Sequence, residues 1–222
     1  MADLQGIRGY YKARINDLLL FSKYGTPWDF ISGAMLIEWI ANLAAPERCI
    51  FMPPKLERPF VIEAVAKWMP HYKNFEFQTP LVDIDDKTKT TGFYLPLQLW
   101  LTLRNPLAHS FTLIPTGRDA SYVPPNVVRS YKDLGRPGCI LLSHREPNER
   151  RGDGGHLALM EDDRCLLRSP DFIEDIDELI TACFHEATID EALNSRILDR
   201  FNKRRPVDSL GEPLIIRKGP QY

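Results

Sequence analysis

The chain opens with apolar residues that recur at three- and four-residue steps, a spacing that places them on one face of a helix. They are Leu4, Ile7, Tyr11, Ile15 and Leu18. We predict an amphipathic helix that ends near Gly25. A second helix is predicted from Thr26 and Pro27, a cap and a first-turn proline, to about Ala45. Because this segment is apolar nearly all round, we expect it to be central to the core.

The middle of the chain alternates between helical and polar stretches. A helical pattern returns over residues 59–69, after a proline-rich connection. Residues 75–91 are polar, and DIDDKTKTT predicts a solvated loop because it lacks the glycine and distal glutamate of a calcium loop. From Phe93 to Leu103 the run FYLPLQLWLTL predicts a buried helix that leads directly into RNPLAH.

The pattern changes after His109, where short apolar runs alternate with turn residues. These runs are FTLIPT, CILLSH, HLALME and RCLLRS. They predict a small antiparallel sheet with a hairpin around Asp162 and Asp163. Ser169 and Pro170 then predict a cap and first-turn proline for one long helix. Thr188 and Glu191 fit a capping box that begins a final helix.

These elements predict an α+β fold that is mainly α, with three parts. Residues 1–113 form a helical bundle, residues 114–205 a small β-sheet with two carboxy-terminal helices packed on it, and residues 206–222 a tail. The 222 residues are 44% hydrophobic and 26% charged, as in ordinary globular proteins. The formal net charge of -2 neither supports nor excludes RNA binding, which would need a local basic patch.

The sequence pattern predicts neither an export signal nor a membrane span. The first 25 residues lack the features of a secretory signal, and the apolar segment Ile31 to Ala45 is interrupted by Glu38. We expect a cytoplasmic protein. The dispersed Cys49, Cys139, Cys165 and Cys183 predict reduced thiols. Because the set of Cys139, His144, His156 and Cys165 matches no familiar zinc spacing, we predict neither a metal nor another cofactor.

Candidate chemistry is concentrated in Leu99 to Leu113, where Arg104, Asn105 and His109 interrupt apolar sequence. Arginine matches phosphate oxygens, and histidine exchanges protons near neutral pH, so the set suggests phosphate chemistry. The spacing alone is weak, since Arg151 and His156 repeat it in a glycine-rich loop.

A structural interpretation of the same residues is also open. Asn105 is then an N-cap, Pro106 begins a new turn, Arg104 neutralises the preceding helix end, and His109 packs beside the sheet. Glu38 is likewise open to two interpretations. It either lies at an exposed edge or in a salt bridge, or it orients Arg104 or His109.

The final helix carries the conspicuous basic cluster of the chain. Its members are Arg196, Arg200, Lys203, Arg204 and Arg205. The cluster predicts either an RNA-binding surface or favourable charge at a helix carboxy terminus.

A helical amino-terminal half that leads to RNPLAHS resembles the HEPN superfamily, whose motif is an arginine, a polar residue and, after variable positions, a histidine. The resemblance covers mainly residues 1–113 and matches Arg104, Asn105 and His109 to those positions. It implies a helical bundle that dimerises, so that two Arg–His pairs face one cleft. Many members are ribonucleases that need no metal, and others are inactive modules. The half from Phe111 to Ser169 is not part of the minimal family bundle.

The resemblance implies an endoribonuclease, with a toxin or defence role and a regulatory antitoxin as further expectations. His109 would act as general base on a 2'-hydroxyl or general acid on the leaving 5'-oxygen, and Arg104 would hold the phosphate. Asn105 would orient either partner or cap its helix, and a 2',3'-cyclic phosphate would remain. The alternative is a non-catalytic dimerisation or binding module in which these residues serve the fold.

Overall fold

A computed structural model describes residues 2–25, 27–46, 60–78, 81–83, 86, 88, 90–91, 95–100, 127–128, 139–144 and 157–203. Its helices are α1 (Leu4–Ser22), α2 (Trp28–Ala44), α3 (Phe60–Trp68), α4 (Pro70–Lys73), α5 (Leu95–Gln98), α6 (Ser169–Ala187) and α7 (Glu191–Lys203). Within these ranges we find no helix with the length and apolar character needed to span a membrane.

The helices predicted from periodicity at both ends of the chain are confirmed. The predicted stripe of α1 buries Ile7, Tyr11, Ile15 and Leu18. The two helices after residue 169 bury their predicted apolar faces in the same way. The fold is therefore mainly helical with small sheets, as expected for the α+β class.

The strands are β1 (Leu81–Asp83), β2 (Thr90–Thr91), β3 (Val127–Val128), β4 (Ile140–Ser143), β5 (Leu157–Leu159) and β6 (Cys165–Arg168). They form two sheets, in the orders β2–β1–β3 and β4–β6–β5. The residues between 75 and 91 thus include two strands where the polar pattern predicted only a loop. Strands of two or three residues are too short to show alternation.

The predicted hairpin is confirmed, but the sheet around it is mixed and not antiparallel. β5 pairs antiparallel with β6, and Asp163 in the turn has a φ of 60°. β4 lies on the opposite edge of β6 and runs parallel to it, with Ile140 opposite Cys165. The apolar runs predict strands, whereas strand order and direction depend on the path of the connections. The FTLIPT run lies outside the described residues.

Helix α6 packs against α1 and α2, and this contact forms the centre of the core. A Cβ added at Gly33 of α2 would lie 2.7 Å from Cδ1 of Ile176 and 2.9 Å from Cε1 of Phe172. Glycine therefore allows the two helices to approach closely. One apolar cluster joins residues from Ile7 to Phe201. The predicted boundary at residue 113 lies outside the described residues.

The expectation that α2 is central to the core is confirmed, since it packs against α1, α3, α6 and α7, but one side of it is exposed. Trp28, Met35 and Trp39 are 50%, 45% and 49% exposed. They lie on the side of α2 that faces away from α6, where Leu20 and Phe21 of α1 are also exposed. An apolar position in a helix predicts burial only where another element covers it.

Three helix ends differ from the capping predictions. Pro27 itself is the N-cap of α2, and Arg168 is the N-cap of α6. The N-terminus of α7 is capped by Asp190, whose Oδ1 accepts from the backbone N–H groups of Ala192 at 2.9 Å and Leu193 at 3.0 Å. Thr188 instead donates to the His185 carbonyl oxygen at 2.7 Å. Several adjacent polar residues satisfy the capping pattern, and backbone geometry selects among them.

Candidate functional sites

The predicted catalytic set of Arg104, Asn105 and His109 lies outside the described residues, but the helix that leads to it is described. Residues 95, 97, 98 and 99 are buried, and the predicted buried helix is confirmed over Leu95–Gln98. At Leu99 and Trp100 the backbone widens into a π-helical turn, a local feature that often occurs near functional sites. The chain reaches Arg104 four residues after Trp100.

Helix α5 approaches α2 on the side that carries Glu38. Leu99 and Trp100 line a small cavity together with Ala34 and Ile37 of α2. Glu38 follows Ala34 by four residues and therefore lies on the same side of the helix, one turn further along. It is half-buried and makes contacts. This position agrees with the hypothesis that Glu38 orients the motif, which stays a prediction.

The basic cluster divides into residues with different surroundings. Arg200 is buried, and its Nη1 donates to the carbonyl oxygens of Asn42 at 2.8 Å and Leu43 at 3.1 Å. Arg196 Nε donates to the Ala44 carbonyl oxygen at 3.2 Å. The two guanidinium groups thus satisfy carbonyls at the carboxy-terminal end of α2 and neutralise its dipole.

Lys203, in contrast, is exposed and lies 2.8 Å from Asp199. Arg204 and Arg205 lie outside the described residues. An RNA surface on α7 stays a prediction. Among the described residues of the cluster, Lys203 is the exposed cation that such a surface could use. Arg196 and Arg200 already donate to backbone carbonyls.

Two buried aspartates, which the sequence interpretation did not single out, form the polar centres of the described fold. The first is Asp29 on α2. Its Oδ2 accepts from the Ser169 hydroxyl, and its Oδ1 accepts from the Phe30 N–H at 2.9 Å. His144 Nε2 lies 3.2 Å from the same Oδ1. Asp29 therefore joins the first turn of α2 to the start of α6 and the end of β4.

The second is Asp175 on α6, which is buried and bonded to side chains from α4. Tyr72 donates its hydroxyl to Oδ2 at 2.7 Å, and His71 Nε2 lies 2.9 Å from Oδ1. Burial and the negative charge of Asp175 raise the pKa of Tyr72 well above its ordinary value. The phenol consequently stays protonated and acts as a donor.

The surroundings of Asp175 open towards solvent on the histidine side. The His71 side chain is 32% exposed and packs edge-on against the Tyr72 ring. Glu178, one turn after Asp175, is exposed. One donor atom from each of His71, Asp175 and Glu178 lies within 4.8 Å of the other two. In the described part of the chain, this is the group with the spacing of metal ligands.

The sequence contains a signal for Asp175, but none that identifies the residues that bind it. Asp175 stands three residues after Phe172 and four before Leu179, on the apolar face of α6. A charge at such a position needs a buried partner. The histidine and tyrosine that bind it lie more than 100 residues earlier in the chain.

The cysteines agree with the expectation of reduced thiols as far as they are described. Cys139, Cys165 and Cys183 are buried thiols that do not take part in disulfide bonds. Burial, reinforced by Cys139, raises the pKa of the Cys165 thiol. His144, the described histidine of the same set, has its Nε2 3.2 Å from Oδ1 of Asp29. Cys49 and His156 lie outside the described residues.

Comparison with known proteins identifies no relative of this chain. No protein-family model matches the chain, and no curated protein or solved structure matches it.

Proposed function

We propose that the protein is a metal-independent endoribonuclease of the HEPN type. The observation that carries the proposal is the burial of α5, which packs its apolar side chains beside α2 and α3 and ends six residues before Arg104. A motif that leaves a buried helix starts from a rigid support, as catalytic side chains require. Glu38 lies on the side of α2 where Ala34 lines a cavity with Leu99 and Trp100, and we expect its carboxylate to orient the motif.

The chemistry follows from the side chains of the motif. His109 takes the proton of an RNA 2'-hydroxyl or returns one to the leaving 5'-oxygen, a contribution of about 10²- to 10⁴-fold in rate. Arg104 binds the phosphate and stabilises the charge that develops on its oxygens. Asn105 orients either His109 or Arg104, or caps its helix. A homodimer supplies one histidine for each proton transfer, and the products are a 2',3'-cyclic phosphate and a 5'-hydroxyl.

The test is cleavage of mixed RNA by the purified protein in the presence of EDTA. We expect cleavage by the wild type, with 2',3'-cyclic phosphate ends identified by their resistance to ligation until the ring is opened and the phosphate is removed by a phosphatase. His109→Ala and Arg104→Ala should reduce the rate at least about 100-fold. The matched controls are His156→Ala and Arg151→Ala, which remove the same residue types at the same spacing and should leave the rate unchanged. Undiminished cleavage by His109→Ala would refute the proposal.

The second candidate is a non-catalytic dimerisation or binding module, and the exposed apolar face favours it. A groove of about 490 Å³ between α1 and α2 is lined by Leu20, Phe21, Met35 and Trp39, among others. Exposed apolar patches of this kind commonly mark interaction surfaces. This candidate predicts a stable complex and no RNA products from the wild type or any variant, so the same cleavage experiment separates the two functions.

A further inference from the structure

We propose that His71, Asp175 and Glu178 bind a divalent transition-metal ion, with Zn²⁺ as the best fit. Neither the nuclease mechanism nor the alternative module uses this site, so its existence is independent of both.

Two helices bring the three side chains together. Asp175 and Glu178 are three residues apart on α6, so they lie on the same side of that helix. His71 comes from α4, which packs against them. One donor atom of each residue lies within 4.8 Å of the others. Rotation of side chains would bring the more distant atoms to the spacing of ligands on one small ion, because two donors on one ion lie at most about 4.4 Å apart.

The separation of two of the donors is close to that of neighbouring ligands around one ion. Nε2 of His71 and Oδ1 of Asp175 are 2.9 Å apart. Tetrahedral metal–ligand bonds of about 2.0–2.2 Å place adjacent donor atoms about 3.3–3.6 Å apart, so these two atoms need to separate by only about 0.5 Å when an ion enters. The distance also suits a hydrogen bond, and an ion replaces that bond when His71 adopts the neutral tautomer with its proton on Nδ1.

The surrounding side chains hold the donors in place. The Tyr72 hydroxyl occupies Oδ2 of Asp175 at 2.7 Å, so Oδ1 is the oxygen turned towards His71. The Tyr72 ring also packs on the imidazole, with 4.7 Å between ring centroids. Partners of this kind orient metal ligands and raise their affinity.

The donor chemistry selects the ion. One imidazole nitrogen and two carboxylates suit Zn²⁺ better than Mg²⁺ or Ca²⁺, which prefer oxygen ligands alone. The two carboxylates balance the charge of the ion. Because His71 is partly exposed and Glu178 is exposed, the fourth position faces solvent and is open to water.

The test is calorimetric titration of ZnCl₂ into the full chain after chelator treatment. We expect one strong site per chain, and at least about tenfold weaker binding in His71→Asn, in Glu178→Gln and in Tyr72→Phe. His185→Asn and Glu191→Gln are the controls, since both residues are exposed on α6 and α7, and they should bind as the wild type does. Circular dichroism shows whether each variant is folded, and the exposed Glu178→Gln keeps the test decisive if a buried variant unfolds.

Cobalt substitution identifies the ligands. Co²⁺ bound by nitrogen and oxygen donors shows ligand-field absorption without a thiolate charge-transfer band, which is the spectrum we expect. A thiolate band, absence of stoichiometric Zn²⁺ binding, or unchanged binding in both His71→Asn and Glu178→Gln would overturn the proposal. RNA cleavage in EDTA is measured separately, so failure of the metal site leaves the nuclease result unaffected.

Discussion

Asp29 and Asp175 have almost the same hydrogen-bonding groups, yet they lie in different kinds of surroundings. Each is a buried carboxylate that contacts a histidine and a hydroxyl group. Asp29 also accepts from the backbone of its own helix, at Phe30. Asp175 instead has the exposed Glu178 one turn away.

The additional group decides what each site is suited to do. A backbone N–H beside Asp29 adds a donor that satisfies the carboxylate within the fold. A second carboxylate beside Asp175 adds negative charge, which a cation neutralises. We infer that Asp29 connects three elements, whereas Asp175 belongs to a site for a ligand.

The largest expected effect is on the connecting aspartate. Asp29→Ala leaves the buried Ser169 hydroxyl and the Phe30 N–H without their acceptor. We therefore expect the free energy of unfolding to fall by about 3–5 kcal/mol. Asp29→Asn keeps an acceptor and should cost less. Urea denaturation measures both values, and a loss below about 1 kcal/mol for Asp29→Ala would show that the connection contributes little.

Replacing His144, beside Asp29, or His71, beside Asp175, should affect stability differently when Zn²⁺ is present. Without metal, His144→Ala and His71→Ala should each cost about 1–2 kcal/mol through a lost hydrogen bond. Zn²⁺ at a hundred times its wild-type Kd should stabilise the wild type and His144→Ala by about 2.7 kcal/mol, but His71→Ala by at most about 1.4 kcal/mol, because its binding is at least about tenfold weaker. Thermal unfolding with and without Zn²⁺ measures this difference. Equal stabilisation of both variants would remove the distinction between the two aspartates.

The smallest expected effect concerns Glu186, a half-buried carboxylate on the same helix as Asp175. Partial burial acts to raise the pKa of Glu186, but hydrogen bonds from Lys67 and Trp68 outweigh it and lower the pKa below its ordinary value of 4.5. A carboxyl group whose pKa is lower in the folded protein stabilises the fold at pH values above its pKa in the unfolded chain. This stabilisation is lost as the pH falls through the pKa of the folded state.

Glu186→Gln should therefore lose less than about 1 kcal/mol at neutral pH, because solvent screens the contact. The difference from the wild type should shrink in acid. Urea midpoints between about pH 7 and about pH 3 measure it. A constant difference across that range would exclude the ionised contact as its cause.

The accuracy of the sequence predictions depended on how local the responsible interaction is. Helices α1, α6 and α7 follow from apolar periodicity, which reports a face many residues long. The central position of α2 was predicted, but the exposure of Trp28 and Trp39 was not, because burial of an apolar side chain depends on which helices pack beside it. Asp190, and not the predicted Thr188, caps α7. Both residues fit the local capping pattern, so the sequence alone does not decide between them.

The candidate sites divide in the same way. RNPLAH is contiguous, so the sequence alone identifies Arg104, Asn105 and His109 as candidates, although their arrangement is not described. The basic cluster was also visible in the sequence, but the contact of Arg200 with α2 was not. Only packing shows that this cation binds backbone carbonyls 157 or more residues away.

The sequence by itself determined the helical class, the hairpin and the position of the Arg–His motif, because each depends on neighbouring residues and on short-range periodicity. The tertiary structure alone decided which apolar residues stay exposed, which direction β4 takes and which histidine meets which aspartate. His71 and Asp175 are 104 residues apart in the chain and 2.9 Å apart in the fold. Packing of α4 against α6 creates that contact, and no local pattern encodes it.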